Sequence, residues 1–271
     1  YMDLSKGRVI GSLTNVSIST LVGLTPFTIN GLIIGNVFST VTAALFYFRR
    51  VCAQGFYPNL NGYKARYYLK KHYKFPVFQL PNALIDGARQ SVINILIGRL
   101  FGVGTLGFYA LALKMLMLPT SLVGSAIGQV FYQKISEMHN DGKKTYSFVM
   151  MFILKTLFLS LPCYIILYYF AVDLFRLFFG EDWAISGEIV QKLIPWFYLT
   201  FVSSTISTLF IVFGRQRLML VLSFVYLLIP IFCISSNTDN FFRSLDWMCF
   251  GMSCVLVIMI ILALVVSYRE S

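Results

Sequence analysis

Charged side chains interrupt several stretches of this sequence that are otherwise apolar. They include one acid and four cations: Asp86, Arg89, Arg99, Lys114 and Lys155. A charge at the centre of a bilayer costs about 2.5–3.5 kcal/mol on an insertion scale, so such a residue is expected to have a partner or a function. Cations of this kind bind anionic groups such as phosphates through charge-assisted hydrogen bonds.

A helix predicted over residues 77–98 gathers polar side chains on one face. At 100° per residue that face holds Asn82, Asp86, Arg89 and Gln90. Such a strip must face the interior of a helix bundle or water. Asp86 and Arg89 are three residues apart and can pair directly. Two interpretations of Arg89 therefore stay open, a ligand-binding cation and a structural ion pair.

Lys114 projects from a strip of small residues on the next predicted helix, 104–128. The residues that share its face are Gly107, Ala110, Ser121 and Ser125. Lys114 is either a ligand-binding cation or a lysine satisfied inside the bundle. Arg99 and Lys155 lie nearer the ends of their helices, where a long side chain can reach the interface. The net positive charge favours an anionic ligand such as a diphosphate. The candidate binding residues are Arg89, Lys114, Arg99 and Gln90, with Asp86 as a coupling group or ion-pair partner.

The composition indicates whether these residues lie in a membrane or in water. Of the 271 residues, 58% are hydrophobic and only 12% are charged, with a mean hydropathy of +0.75. A soluble domain carries about 25% charged residues, so we predict an all-α integral membrane protein. A spanning helix needs about 20 apolar residues, which gives about eight transmembrane helices. The predicted spans are 9–25, 28–48, 77–98, 104–128, 147–171, 189–212, 217–235 and 246–267.

The loops between the predicted spans alternate in charge. Loops 49–75, 129–146 and 213–217 are rich in Lys and Arg, whereas loops 172–188 and 236–246 are rich in Asp and Glu. Basic loops remain in the cytoplasm, so we expect both termini there. The net charge of +11 is explained by this asymmetry and by anionic lipid headgroups. We expect membrane lipids, and no nucleic acid, as partners.

The sequence contains no pattern typical of catalysis or metal binding. It has no paired carboxylates, no Ser/His/Asp set and no glycine-rich phosphate loop. The five cysteines lie mostly in apolar runs without ligand spacing, and His72 and His139 lie in separate loops. We expect neither an enzyme nor a bound metal or cofactor.

A resemblance to a known family is carried by residues 75–133. The runs in question are FP at 75–76, QLPNALI at 79–85, FGVG at 101–104, GFYALA at 107–112, LP at 118–119 and GSAIGQVF at 124–131. In order and spacing they resemble the Wzx-type O-antigen and capsule flippases of the polysaccharide biosynthesis and export family. That family belongs to a superfamily that includes the multidrug and toxin extrusion (MATE) transporters.

The resemblance implies a two-lobed, MATE-like transporter fold. Aligning 77–98 with the family's seventh helix makes 1–48 the last two helices of the N-terminal lobe. Residues 49–76 then form a basic cytoplasmic linker, and 77–271 form a six-helix C-terminal lobe. Because the chain also begins with Tyr1, we expect it to be part of a longer protein with four further helices.

The resemblance also implies a function and a location. Flippases of this type move an undecaprenyl-diphosphate-linked oligosaccharide, such as an O-antigen (lipopolysaccharide) or capsule repeat unit, across the bacterial cytoplasmic membrane by alternating access. Lys114 stands where the family often has an arginine, and Asp86 departs from the usual asparagine. The expected partners are the lipid-linked oligosaccharide and proteins of glycan polymerisation or assembly.

Three other functions stay open at this point. A multidrug or small-cation antiporter would need acids in its cavity, and the predicted walls hold one acid against several bases. An integral-membrane glycan polymerase or ligase would need a large external loop, whereas the longest polar loop is predicted to be cytoplasmic. The third is a non-transporting scaffold.

Overall fold

The computed structural model of the chain describes residues 2–23, 31–53 and 74–270. Over these residues the chain is helical, and they contain no strand. Helices suit an apolar solvent because every backbone hydrogen bond is made within the segment. The helices are α1 (Met2–Gly23), α2 (Gly31–Ala53), α3 (Lys74–Leu100), α4 (Val103–Pro119), α5 (Ser125–Asn140), α6 (Tyr146–Phe179), α7 (Ala184–Ile206), α8 (Leu209–Val212), α9 (Gln216–Ser236) and α10 (Phe241–Arg269).

Five helical segments are long and apolar enough to cross a membrane among the residues described. They are Val103–Asn140, Tyr146–Phe179, Glu181–Val212, Gln216–Ser236 and Phe241–Arg269. This confirms the predicted all-α membrane fold class. The predicted spans 9–25, 28–48 and 77–98 lie on α1, α2 and α3, apart from residues 24–25 and 28–30, which lie outside the described residues. That these three helices also cross the membrane stays a prediction.

The chain divides into two compact units, residues 1–71 and 72–271. In the first unit, α1 packs against α2. Ser39 on α2 donates a hydrogen bond to the carbonyl of Gly11 on α1, at 2.8 Å. A Cβ atom at Gly35 would lie 3.0 Å from the carbonyl oxygen of Asn15, so glycine allows the two helices to approach closely. The assignment of these helices to a separate lobe stays a prediction.

The second unit is organised around α7. This helix packs against α4, α5, α6 and α10, while α9 packs against α3 and α10. One apolar cluster joins Leu193 and Phe197 of α7 to Leu116 of α4 and Met248 of α10. A second cluster surrounds Phe131, Ile206 and Phe210, among other residues.

A short π-helical turn, Thr120–Gly124, joins α4 to α5. It follows Pro119, which cannot donate to the helical ladder, and the 38-residue segment continues through it. The extra residue in the turn rotates α5 relative to α4. Ser121 and Ser125 therefore lie at and beyond a break in the helical phase, and the single face predicted for Lys114 does not extend to them. Gly124 packs against the ring of Phe201 on α7.

Candidate functional site: a cavity between five helices

A cavity of about 500 Å³ lies inside the second unit, between α3, α4, α7, α9 and α10. Its volume is within the range of small-molecule sites, which is about 300–1,000 Å³. Its walls are mostly apolar, with a limited set of polar groups. The polar and aromatic lining residues are Asp86, Arg89, Gln90, Tyr109, Trp196, Phe197, Thr200, Ser203, Ser204, Ser207, Ser223 and Tyr226.

The charged groups of the cavity are Arg89 and Asp86, one helical turn apart on α3. The nearest guanidinium nitrogen of Arg89 lies 3.8 Å from a carboxylate oxygen of Asp86. This distance is an ionic contact but is too long for a hydrogen bond. The Arg89 side chain is only 15% exposed, whereas that of Asp86 is 48% exposed. Asp86 therefore lies toward the opening of the cavity, and Arg89 lies deeper.

Arg89 contacts the ring of Tyr226 across the cavity, and Tyr226 is in turn bonded to Trp196. The guanidinium lies over the ring of Tyr226 on α9, with 4.7 Å from its carbon to the ring centroid, which is a cation–π contact. The indole nitrogen of Trp196 on α7 donates a hydrogen bond to the Tyr226 hydroxyl. Trp196 is buried, so α7 fixes the tyrosine ring, and that ring in turn restricts Arg89.

Three polar groups of the lining have no hydrogen-bond partner within the described part of the chain. The Nε of Arg89 and the hydroxyl of Tyr109 are both buried and unpartnered, and Gln90 forms no side-chain hydrogen bond there either. The Tyr109 side chain is 0% exposed. A buried polar group without a partner costs about 1–3 kcal/mol, so a ligand that bonds to Arg89 Nε or to the Tyr109 hydroxyl would remove that cost. The partly buried amide of Gln90 is available to a ligand as well.

One wall of the cavity carries hydroxyl groups. On α7, Ser203 and Ser204 donate to backbone carbonyls three residues earlier in the same helix, as Ser207 does. The oxygen lone pairs of these hydroxyls remain free to accept. On the opposite side, Ser223 of α9 donates to the amide oxygen of buried Asn82 on α3, at 2.5 Å. The polar strip predicted for 77–98 thus faces α9 and the cavity.

The structure brings together only part of the predicted site. Asp86, Arg89 and Gln90 line the cavity. Lys114 and Arg99 are exposed on α4 and α3 and do not line it. Among the described residues, the charged ones that line the cavity are Asp86 and Arg89, and their formal charges cancel. The predicted cationic wall shared by Arg89 and Lys114 is not a feature of this cavity.

The sequence prediction did not include several polar and aromatic contacts of the second unit. Lys192 on α7 donates to both carboxylate oxygens of Asp246 on α10, at 2.7 and 2.8 Å. Lys192 lies within the predicted span 189–212, which is a signal that could have identified it. The hydroxyl-rich run SSTIST at 203–208 could likewise have marked one wall of the cavity. No sequence pattern identifies Tyr109 or the Trp196–Tyr226 pair.

The residues described include no group of three His, Cys, Asp or Glu side chains placed to hold a metal ion. The cavity instead offers hydrogen bonds and aromatic faces to an organic ligand. Together with the fold, it defines an all-α membrane protein with a mostly apolar cavity between its helices, into which a few polar groups project.

Comparison with known proteins then gives the family. Residues 1–188 match the model of a family described as "Polysaccharide biosynthesis protein", and the chain belongs to this family. The match covers α1 and α2 as well as the helices that carry Asp86, Arg89 and Lys114. No curated protein and no solved structure matches the chain significantly. The family level of the sequence-based resemblance is therefore confirmed.

Proposed function

We propose that this chain moves a lipid-linked oligosaccharide across the membrane as a flippase of the Wzx type. The substrate would be an O-antigen or capsule repeat unit on undecaprenyl diphosphate, carried by alternating access from the cytoplasmic to the outer leaflet. Membership of the polysaccharide biosynthesis family and the five helices able to cross a membrane support this proposal. In the proposal the chain is a transporter and not an enzyme, and glycan polymerisation or assembly proteins are its partners.

The observation that carries the proposal is the position of Lys114. It is exposed on a helix that is apolar enough to cross a membrane, and no ion pair joins it to any described residue. At 1.5 Å per residue it lies about 17 Å from the start of α4, roughly half the thickness of a 30 Å hydrocarbon core. An exposed, unpaired cation at that depth requires an anion or water, and a lipid diphosphate supplies the anion.

The other candidate residues take secondary roles in this proposal. Arg99, exposed near the end of α3, attracts the anionic headgroup as it enters or leaves. Arg89 and Gln90, inside the cavity, contact the part of the substrate beyond the diphosphate. Asp86 balances the charge of Arg89.

The orientation belongs to the same proposal. The charge asymmetry of the loops supports a bacterial cytoplasmic membrane protein with its C-terminus in the cytoplasm. The basic loop 49–75 contributes most to that asymmetry, and residues 54–73 of it lie outside the described residues. In this orientation the Lys192–Asp246 pair lies toward the external side.

A second candidate function is favoured by Asp86. Its carboxylate is half exposed and lies in the cavity, where an organic cation could contact it. A small-cation antiporter would use Asp86 and would not need Lys114. The two functions therefore predict opposite results for these two residues.

The test uses cells whose surface glycan depends on this protein. Lys114→Ala is expected to lower glycan export about 10- to 100-fold, because a hydrogen bond to a charged group contributes about 1.5–3 kcal/mol. Lys114→Arg should retain much of the export, since the charge survives. The matched control is Lys144→Ala, which removes an exposed lysine that lies outside the helices, just before α6, and should leave export unchanged. Membrane abundance of each variant is measured by immunoblot.

Two results would contradict the proposed flippase function. Normal glycan export by Lys114→Ala at normal abundance would remove the basis of the flippase mechanism. Loss of organic-cation efflux in Asp86→Asn, with export intact in Lys114→Ala, would favour the antiporter.

A further inference from the structure

The cavity and Lys114 differ in the charge of the ligand that each can bind. Within the described part of the chain Lys114 has no ion-pair partner, whereas the charged lining residues described for the cavity, Asp86 and Arg89, have formal charges that cancel. A diphosphate placed in the cavity would meet the Asp86 carboxylate as well as the Arg89 guanidinium. Without net attraction, the desolvation cost of a diphosphate is not offset. The cavity therefore suits an uncharged ligand.

The free hydrogen-bonding groups specify that ligand further. Tyr109 and Arg89 Nε offer buried donors that have no partner in the described part of the chain. Gln90 offers both a donor and an acceptor, and the hydroxyl oxygens of Ser203 and Ser204 offer acceptors. A ligand that uses all of these must carry several groups that both donate and accept. Hydroxyl groups do this, and a carboxylate or phosphate, which only accepts, does not.

The remaining walls are aromatic and apolar. Trp196, Phe197, Tyr109 and Tyr226 line the cavity together with apolar side chains of α4 and α10. A sugar ring has hydroxyl groups at its rim and C–H groups on its faces, so it matches a site with polar groups at a few points and aromatic surfaces between them.

We infer that this cavity binds an uncharged sugar residue of the lipid-linked glycan, while the diphosphate stays outside at Lys114. The inference rests on the proposed function and names which part of the substrate each region recognises. Tyr109 and Gln90 are then residues that determine specificity for the glycan.

The geometry of α4 places the two regions side by side. Met117 lines the cavity and is 39% exposed, so it lies at the opening. Lys114 precedes it by three residues, and residues at that spacing are neighbours on a helix surface. A diphosphate at Lys114 would therefore lie beside the opening, and the sugar attached to it would reach the cavity.

The test measures binding of two lipids to the purified full chain in detergent. One is a polyprenyl diphosphate that carries a single neutral hexose, and the other is the same polyprenyl diphosphate without sugar. For the native protein we expect the sugar to raise affinity at least about tenfold, because several hydrogen bonds are added. Tyr109→Phe and Gln90→Leu should each reduce that gain by about two- to tenfold and leave affinity for the bare lipid unchanged.

Two controls separate this role from a structural one. Tyr169→Phe removes a hydroxyl from an exposed tyrosine on α6 and should leave both affinities unchanged. Lys114→Ala should lower both affinities by the same factor. Because the Tyr109 hydroxyl has no partner among the described residues, the Tyr109→Phe variant should have a melting temperature equal to or above that of the native protein.

The inference and the proposed function fail in different ways. A sugar that adds no affinity to the native protein, or a gain that survives in Tyr109→Phe, would overturn the inference even if both lipids cross proteoliposome membranes. If neither lipid crosses but the gain depends on Tyr109, the cavity is a sugar site and the flippase function is wrong.

Discussion

Two of the ion pairs that the structure describes in the second unit differ in geometry. Between α7 and α10, Lys192 donates to both oxygens of Asp246 at 2.7 and 2.8 Å. Within α3, the nearest charged atoms of Arg89 and Asp86 are 3.8 Å apart. The first pair joins two helices that are distant in sequence. The second pair joins residues three positions apart on one helix, so it does not link two helices.

The difference indicates separate roles for the two pairs. Asp246 uses both of its oxygens to bind Lys192, whose ammonium also lies 5.7 Å from the centroid of the Phe242 ring. Arg89 keeps an unpartnered Nε at the wall of a cavity. A pair whose hydrogen-bonding capacity is used stabilises the bundle, and a pair whose capacity is partly unused can bind a ligand. Changes near the first pair should therefore affect folding more than changes at the second.

The largest expected effect is at the contact between α6 and α7, the helix that carries Lys192. A Cβ atom at Gly187, early in α7, would lie 2.5 Å from the Cα of Val172 on α6. Backbone cannot move aside as a side chain can, so Gly187→Ala must separate the two helices. We expect a loss of about 1–3 kcal/mol or more, measured by thermal unfolding in detergent and by membrane abundance. Gly107→Ala is the matched control, because nothing lies within 4 Å of its added Cβ. Equal stability of the two variants would contradict the close approach of α6 and α7.

A smaller effect is expected from the first ion pair itself. Both partners are partly exposed, at 32% for Lys192 and 55% for Asp246, and such pairs contribute about 0.2–1 kcal/mol. Lys192→Met and Asp246→Asn should each lower the melting temperature, and the double variant should lose less than the sum of the two. A double-mutant cycle on the purified protein measures this coupling. Strict additivity would show that the pair does not stabilise the contact between α7 and α10.

The helices were predictable because a membrane helix requires a long run of apolar residues, which the sequence shows directly. Each predicted span from 104–128 onward coincides with a helix or a pair of helices in the structure. The boundaries were less predictable: α6 continues to Phe179, eight residues past the predicted end at 171, and stops before Gly180, whose φ of 98° suits glycine. The π-helical turn after Pro119 could not be inferred, since proline is compatible with several local distortions.

The candidate site was only partly predictable, because a helical face says which residues lie together but not what they face. The strip of Asn82, Asp86, Arg89 and Gln90 was correctly placed on one face. Lys114 was expected in the same cavity, but this depends on how α4 is rotated about its axis. Tyr109 looks like any apolar aromatic residue in the sequence. Its importance comes from a hydroxyl left without a partner by the packing of five helices.

The smallest effect on stability is expected at the second ion pair. Asp86→Asn, Arg89→Ala and the double variant complete a second cycle, measured on the same purified protein. For partners three residues apart on one helix the coupling should be about 0.2–0.5 kcal/mol, and the 3.8 Å separation leaves little room for more. A coupling larger than that of Lys192 and Asp246 would reverse the assignment of roles to the two pairs.

Export separates the two interpretations of Arg89 that the sequence left open. If Arg89 only balances Asp86, then Arg89→Ala harms export by leaving a carboxylate unpaired, and adding Asp86→Asn should restore it. If Arg89 binds substrate through its free Nε, the double variant stays as defective as Arg89→Ala alone. We expect the second result, with export about tenfold below native in both, because a lost hydrogen bond to a charged group costs about 1.5 kcal/mol or more. Asp86→Asn alone should then export nearly normally, since the Tyr226 ring still holds the guanidinium in place. Restored export in the double variant would make Arg89 a structural partner of Asp86, and recognition of the glycan would then rest on Tyr109 and Gln90.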